Sequence, residues 1–206
     1  MKNIVNLLLC CILMMGCSSV VSPREEIDFN DGWRFHLGDV AEASAPAFDD
    51  SDWRELDLPQ DWAVEGDFSQ DNPSGTGGGA LPGGIGWYRK TFTIPADDYG
   101  KHLWLEFDGI FRDAQLWVNG FYLGHEKSGY ASQIYDISEY LNYGGENLLC
   151  VRVDATLEEG WFYEGAGIYR HVWLGKASKI NVAPWGTFAY SEFAAPLSLR
   201  GDAAPD

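Results

Sequence analysis

The chain has 206 residues and a formal net charge of −17 at pH 7, with 31 Asp and Glu against 14 Lys and Arg. So acidic a chain argues against nucleic acids and anionic lipid surfaces as partners, and a neutral substrate fits better. Its 9 Trp, 10 Tyr, 11 Phe and 24 Gly, without long Ala-, Leu-, Glu- or Lys-rich runs, favour short strands and turns over helices.

The N-terminal segment has the pattern of an export signal. Lys2 precedes an apolar run from Ile4 to Met15, which is shorter than the roughly 20 residues of a membrane-spanning helix. The run ends in Met-Gly-Cys-Ser, which resembles a bacterial lipoprotein signal with Cys17 as the lipidated residue; a plain secretory signal is the alternative. We therefore predict a signal peptide over residues 1–16, a tether over 17–26, and a periplasmic or outer-membrane lipoprotein of a Gram-negative bacterium. Contact with the membrane is expected only through the lipid anchor.

Cleavage before Cys17 would remove two further cysteines and leave Cys150 as the free thiol, so no intrachain disulfide is expected. Cys150 lies in an apolar stretch that is typical of a buried strand. There a cysteine serves as a small apolar residue rather than as a nucleophile.

Alternation of apolar and polar residues predicts a series of short strands, beginning near Phe29. In the strand predicted within residues 101–108, Leu103, Leu105 and Phe107 share one face and Trp104 takes the other. In chain order, the predicted strands lie within residues 29–35, 55–58, 86–94, 101–108, 115–124, 146–153 and 168–174. Residues 137–142 are expected to form one helical turn, and residues 181–190 the opening strand of another unit.

The clearest local signal is the dipeptide Asn119-Gly120 between two alternating segments. Both positions accept a positive φ, so this dipeptide specifies a tight hairpin turn. Strands at short, regular spacing with turns between them predict an all-β sandwich or jelly roll. At about 150 residues per domain, the length fits one such domain with flanking pieces.

A glycine-rich segment from Asn72 to Gly86 has two interpretations. It is either a floppy connection between strands or a loop whose backbone closely approaches another domain or a sugar. A phosphate-binding loop would need a following Lys-Ser/Thr and a helix, and the sequence has neither.

A second segment combines aromatic residues with acids between two glycine-containing turns. Trp161, Tyr163 and Glu164 lie just after Glu158 and Glu159. Pyranose sites use this chemistry, because apolar ring faces stack on aromatic rings while carboxylates accept hydrogen bonds from hydroxyls. The alternative is that these side chains close one end of the sandwich core.

No catalytic constellation is predicted. A retaining glycosidase needs two carboxyl groups about 5 Å apart on a rigid support, and nothing in the sequence fixes such a pair. The four histidines are scattered without metal-ligand spacing, so neither a metal nor a cofactor is expected.

Several motifs together resemble the N-terminal sugar-binding domain of glycoside hydrolase family 2, which contains β-galactosidases, β-glucuronidases and β-mannosidases. The likeness covers roughly residues 27 to 190, and the ordered set is specific although each piece is weak alone. In chain order the motifs are Asn30 to Phe35, Leu58 to Trp62, Gly86 to Lys90, Leu116 to Gly120, Ser128 to Tyr130, Asn147 to Asp154 and Gly167 to Leu174.

The resemblance implies a galactose-binding-like jelly roll over residues 27–178 and the start of a truncated immunoglobulin-like domain, or a tail, over 179–206. In the family, an immunoglobulin-like domain and a (β/α)₈ barrel follow, and the barrel carries the two catalytic glutamates. This chain has no counterpart of either glutamate, so we predict that it contains no catalytic residue.

The resemblance also implies site residues, since loops of the family's first domain help to form the pocket for the terminal sugar. The implied sugar-binding residues are Asp61, Asp154, Glu158, Glu159, Trp161, Tyr163 and Glu164. Trp161 stands where the family often has an acid, and Gln60 replaces a usual histidine. Arg170 is expected at the domain interface, where a guanidinium can hold carboxylates or carbonyls.

The expected function is therefore that of the sugar-binding front part of an exported β-galactosidase-type hydrolase, which acts on terminal β-glycosides once joined to its barrel. Two alternatives stay open: a stand-alone surface lipoprotein that binds glycans without cleaving them, and an inactive truncated gene product.

Overall fold

The computed structural model describes residues 24–72, 74–75, 77, 79–156 and 164–192. The predicted signal peptide, Cys17, Glu158, Glu159, Trp161 and Tyr163 lie outside the described residues.

Ten strands account for nearly all of the regular structure. They are β1 Arg24–Asp28, β2 Trp33–Leu37, β3 Arg54–Leu56, β4 Gly84–Thr93, β5 His102–Phe107, β6 Ala114–Val118, β7 Phe121–Glu126, β8 Gln133–Asp136, β9 Glu146–Ala155 and β10 Val172–Ala177. A short helix, α1 (Trp62–Glu65), and a 3₁₀ turn, Ala96–Asp98, complete the described elements.

The strands form two antiparallel sheets that pack face to face. The four-stranded sheet has the order β1-β10-β5-β8, and the six-stranded sheet has the order β3-β2-β4-β9-β6-β7. Apart from β2-β3 and β6-β7, neighbours in each sheet are not consecutive in sequence, as in a jelly roll, where the chain crosses repeatedly between the two sheets. The predicted all-β jelly-roll sandwich is confirmed.

Strand alternation builds the core between the sheets. Leu103, Leu105 and Phe107 of β5 are fully buried, as are Leu149 and Val151 of β9 on the facing sheet. The predicted hairpin is also confirmed: β6 and β7 are joined at Asn119 (φ 51°) and Gly120 (φ 82°).

The outer face of the six-stranded sheet is covered by the loop of residues 38–53. Arg89, 3% exposed, reaches from β4 into this loop, where it donates to Asp50 Oδ2 at 2.6 Å and to the carbonyls of Ala45 and Phe48 at 3.2 Å each. The sulfur of Cys150 lies 3.5 Å from the same guanidinium. Burial raises the pKa of the Cys150 thiol to about 12, as expected for an unreactive, buried cysteine.

The sandwich begins earlier than expected. Arg24–Asp28, of which residues 24–26 fall in the predicted tether, pairs with β10 as an edge strand. Its residues are mostly charged and lack the alternation that predicts a strand. An edge strand can form nonetheless, because it needs backbone hydrogen bonds on one side only. Arg24 lies 4.7 Å over the ring of Trp104, which is 1% exposed on the outer face of this sheet.

Three further expectations need correction. Residues 181–190 form no strand; they run along the four-stranded sheet, where Arg24 donates to the Val182 carbonyl (3.2 Å) and Trp185 to Glu106 (3.1 Å). Residues 137–142 form no helix, only a turn closed by the Tyr140 amide on the Ile137 carbonyl at 3.0 Å. The last strand spans residues 172–177 rather than 168–174 because residues 167–168 are used by neighbouring loops.

Candidate functional site

Most of the described site residues meet at one end of the sandwich, where β5 and β9 end and β4, β6 and β10 begin. We call this surface the loop end. It comprises residues 60–65, 108–113, 128–130, 154–156 and 164–170.

Asp61 is placed by the start of helix α1. As the N-cap residue it has an extended backbone (φ −132°), and its Oδ1 accepts the Ala63 amide at 2.9 Å. The same oxygen accepts the Ala166 amide at 2.9 Å. Asp61 thus satisfies a free helical N–H and ties α1 to the segment that precedes β10.

The segment of residues 164–170 is held between two loops. The Trp62 amide donates to the Ala166 carbonyl at 3.0 Å, and Gly167 exchanges two backbone hydrogen bonds with Phe111 at 2.6 and 2.8 Å. Gly167 has φ 121°, and a Cβ there would lie 2.4 Å from Tyr88 Oη and 2.7 Å from the Gln60 carbonyl oxygen. Only glycine fits at the point where this segment crosses Tyr88 and Gln60.

Tyr88 and Gln60 form the floor beneath this segment. The Tyr88 hydroxyl donates to Gln60 Oε1 and lies 3.4 Å from the Ile168 amide nitrogen. Both side chains are buried, and burial raises the pKa of Tyr88 well above its usual value. Gln60 is therefore a buried residue that supports the segment of residues 164–170 through Tyr88.

Asp154 is at the loop end, but its carboxylate is already engaged. Its amide donates to the Arg112 carbonyl at 3.0 Å. Its Oδ1 accepts the Thr156 hydroxyl at 2.6 Å and the Thr156 amide at 3.2 Å, while Oδ2 lies 3.3 Å from Arg152. These bonds shape the end of β9, and they tie Asp154 to the loop of residues 108–113, which pairs with Gly167 through Phe111.

Glu164 and Arg170 bracket the anchored segment. Glu164 is half-buried and Arg170 is exposed. Thr156 and Glu164, which flank residues 157–163, both lie at the loop end. The structure therefore brings Asp61, Asp154, Glu164 and Arg170 to one surface.

Three residues of this surface were not singled out from the sequence. Phe111 pairs with Gly167, and Tyr130, 63% exposed, contacts the Phe111 ring edge-on at 5.5 Å between centroids. Arg112 is buried beside Asp154. Tyr130 follows Ser128-Gly129 in one of the quoted motifs, which was the available signal; Arg112 has no comparable signal in the sequence.

In the described part of the glycine-rich segment, side chains donate to backbone carbonyls. The Asn72 amide group donates to the carbonyls of Asp67 (2.9 Å) and Ala80 (2.8 Å), and the Ser74 hydroxyl donates to Leu81 at 2.6 Å. The segment thus folds back on itself next to α1, where Trp62 donates to the Gly83 carbonyl at 3.1 Å.

The loop end offers carboxylates, a guanidinium and an exposed aromatic ring, which are groups that can bind hydroxyls and sugar ring faces. Within the described ranges, no group of three or more His, Cys, Asp or Glu side chains could hold a metal ion. No helix among the described residues is long and apolar enough to cross a membrane.

Comparison with known proteins places the chain in a family. Residues 80–178 match the model of the sugar binding domain of glycosyl hydrolases family 2. Among relatives, the chain is 56% identical over 172 residues to the β-galactosidase BoGH2A of Bacteroides ovatus, covering 83% of the chain and 20% of the relative. It is 39% identical over 178 residues to a putative β-glucuronidase of Formosa agariphila, covering 84% of the chain and 17% of the relative.

Solved structures agree. A family 2 glycosyl hydrolase from Bacteroides cellulosilyticus superposes with a TM-score of 0.72 at 40% identity, covering 74% of this chain and 20% of that one. A β-glycosidase from Bacteroides vulgatus gives 0.70 at 44% identity, covering 73% and 20%. The chain thus spans about one fifth of the length of these proteins.

Proposed function

Because the chain carries the N-terminal sugar-binding domain of glycosyl hydrolase family 2, we propose that it serves a β-galactosidase-type glycoside hydrolase. The observation that most strongly supports this proposal is the 56% identity to a β-galactosidase across 83% of the chain. Hydrolysis of the O-glycosidic bond requires two opposed carboxyl groups on a rigid support, which further domains of a longer protein would provide.

In this proposal the loop end helps to form the pocket for the terminal sugar. Asp61, Asp154 and Glu164, together with Glu158, Glu159, Trp161 and Tyr163, supply hydrogen bonds and stacking, and Arg170 contacts the neighbouring domain. The anchoring of residues 164–170 supports this assignment, because a segment held by fixed hydrogen bonds can position a sugar at little entropic cost.

Assay of the complete gene product tests the proposal. We expect it to hydrolyse p-nitrophenyl β-D-galactopyranoside faster than the matching glucuronide. Glu164→Gln should raise KM by about tenfold through loss of a charged hydrogen bond, whereas Glu55→Gln, at a site 76% exposed on another edge, should not change it. Absence of hydrolysis would contradict the proposal, and sugar binding without hydrolysis would favour a glycan-binding lipoprotein.

We also propose export as a lipoprotein anchored through Cys17, which follows an apolar run of signal-peptide length. Cys17→Ser should abolish incorporation of radiolabelled palmitate in a Gram-negative host, whereas Cys150→Ser, which changes a buried thiol, should leave it intact. Equal labelling of the wild type and Cys17→Ser would refute the anchor.

A further inference from the structure

A second concave surface lies at the opposite end of the sandwich. His102 begins β5 at this end, whereas Phe107 finishes the same strand beside the loop end. The cleft, about 730 Å³ in volume, lies in the range typical of small-ligand sites. We call it the far-end cleft and define it by Tyr99, Lys101, His102, Asp136, Ser138, Tyr143, Lys179 and Asn181.

One wall of the cleft is an exposed aromatic ring in a fixed position. Tyr99 is 80% exposed, yet its ring meets that of Tyr143 edge-on at 5.4 Å. Tyr143 is fixed in turn, because its hydroxyl donates to the Ser138 carbonyl at 2.9 Å. An exposed ring that is already oriented loses little side-chain entropy when a ligand stacks on it.

The opposite wall presents oriented polar atoms. The Asn181 amide nitrogen lies within hydrogen-bond distance of His102 Nδ1, at 3.0 Å, which orients the imidazole ring. Asp136 Oδ1 accepts both the amide (2.9 Å) and the hydroxyl (2.7 Å) of Ser138. Asp136 Oδ2 lies 3.6 Å from His102 Nε2, so a carboxylate oxygen and a ring nitrogen, both able to form hydrogen bonds with hydroxyls, stand side by side.

The charges in the cleft disfavour an anionic ligand. Lys101 is engaged by Asp98 at 2.6 Å, and the remaining lining charges, Lys179 against Asp136 and Glu139, leave an excess of one negative charge. The choice of a neutral ligand over a cation comes from the aromatic ring. A fixed aromatic face opposite paired hydroxyl-binding atoms matches the apolar ring face and hydroxyl edge of a neutral pyranose.

We propose that the far-end cleft is a second carbohydrate-binding site, which holds a neutral oligosaccharide with one sugar ring on Tyr99 and its hydroxyls on Asp136 and His102. This site is separate from the loop end. It would let the protein hold a glycan at a distance from the pocket for the terminal sugar, and it does not depend on the proposed hydrolase activity.

Titration of the full chain with β-1,4-galactotetraose, followed by amide NMR, tests the proposal. We expect the amides of Tyr99, Tyr143 and Asn181 to shift with saturation. Tyr99→Ala should weaken the affinity at these amides at least about tenfold, while Tyr99→Phe, which keeps the ring, should preserve it. Asp136→Asn should also weaken binding.

The matched control is Tyr190→Ala, which removes a tyrosine of similar exposure (70%) outside the cleft and should change nothing. The proposal is overturned if the far-end amides do not shift at 20 mM sugar, or if Tyr99→Ala binds as tightly as the wild type. Shifts confined to the loop end would overturn it while leaving the proposed role of that end intact.

Discussion

Gly167 is the residue on which the geometry of the loop end most depends. We predict that Gly167→Ala will unfold at much lower denaturant than the wild type. The new methyl group must displace Tyr88 or the Gln60 backbone, which adds about 1–3 kcal/mol of overpacking to the cost of a positive φ. Urea unfolding followed by Trp fluorescence measures the difference.

Gly32→Ala measures the cost of a positive φ without the cost of overpacking. Gly32 also has a positive φ (66°), but a Cβ there would meet nothing within 4 Å. This variant should lose only about 1–2 kcal/mol, the cost of the left-handed backbone. Equal losses in the two variants would show that the crossing at Gly167 is not tight.

Cys150 should resist alkylation in the folded protein. Burial raises its pKa to about 12, so almost no thiolate exists at pH 8, and the side chain has no exposed surface. Iodoacetamide treatment followed by peptide mass spectrometry should leave the Cys150 peptide unmodified in buffer and label it in 6 M guanidinium. Rapid labelling of the native protein would contradict the buried setting.

The candidate site was predictable from the sequence only in part. Asp61, Asp154 and Arg170 could be named because they belong to motifs whose order is specific. Their grouping could not be predicted, since it depends on contacts between positions far apart in the sequence, such as Asp61 with Ala166. Arg112 was missed because a buried arginine has no local pattern.

At the scale of elements, the buried guanidinium of Arg89 helps to fasten the loop of residues 38–53 to the six-stranded sheet. We predict that Arg89→Met will lose about 3–5 kcal/mol, because three loop carbonyls lose their donor and Asp50 keeps only Arg34. Arg54→Met is the control: its pair with Glu65 is half-exposed (56% and 36%) and should be worth less than about 1 kcal/mol. Similar losses in thermal unfolding would refute the role of Arg89.

Ion pairs of Asp98 fasten the 3₁₀ turn before β5, so the stability of the protein should depend on pH. Burial opposes ionisation of Asp98, but hydrogen bonds from Lys101 and Lys176 outweigh it and hold the pKa of Asp98 below its usual value. Because the pKa of Asp98 is lower in the folded than in the unfolded state, its ionised carboxylate stabilises the fold above about pH 4. This contribution is lost as the pH falls through the lowered pKa.

Asp98→Asn should therefore cost about 1–3 kcal/mol at pH 7 and less at pH 2. Asp97→Asn, at an exposed position on the same turn, should match the wild type at both pH values. Urea unfolding at the two pH values provides the measurement. A loss of stability in Asp98→Asn that is the same at both would show that the lysine contacts contribute no pH-dependent stability.

Elements with a complete local signal were predicted, and elements that depend on their neighbours were not. The β6–β7 hairpin follows from Asn119-Gly120, and the inward face of β5 follows from its alternation. By contrast, β1 is polar along most of its length and is a strand only because β10 offers it an open edge. The strand expected at 181–190 did not form, although its composition suits one, because no described strand pairs with it.

At the scale of the whole molecule, the segment of residues 179–192 differs from the sandwich that it follows. Its described contacts with the sandwich are a few polar ones, to Arg24, Glu106 and His102. Its large apolar side chains are exposed, from Ile180 (94%) to Phe188 (87%). A segment that buries so little apolar surface contributes little to the stability of the sandwich, which supports the expected domain boundary at residue 178.

Shortening the chain tests that boundary. We predict that residues 24–178 alone will unfold cooperatively, because all ten strands and the core between them are retained. Relative to residues 24–192, the loss of three exposed hydrogen bonds should cost about 1–2 kcal/mol, or a few degrees in Tm. Calorimetry of the two chains gives the comparison. A shortened chain without a cooperative transition would mean that residues 179–192 are an integral part of the sandwich and that the domain extends past residue 178.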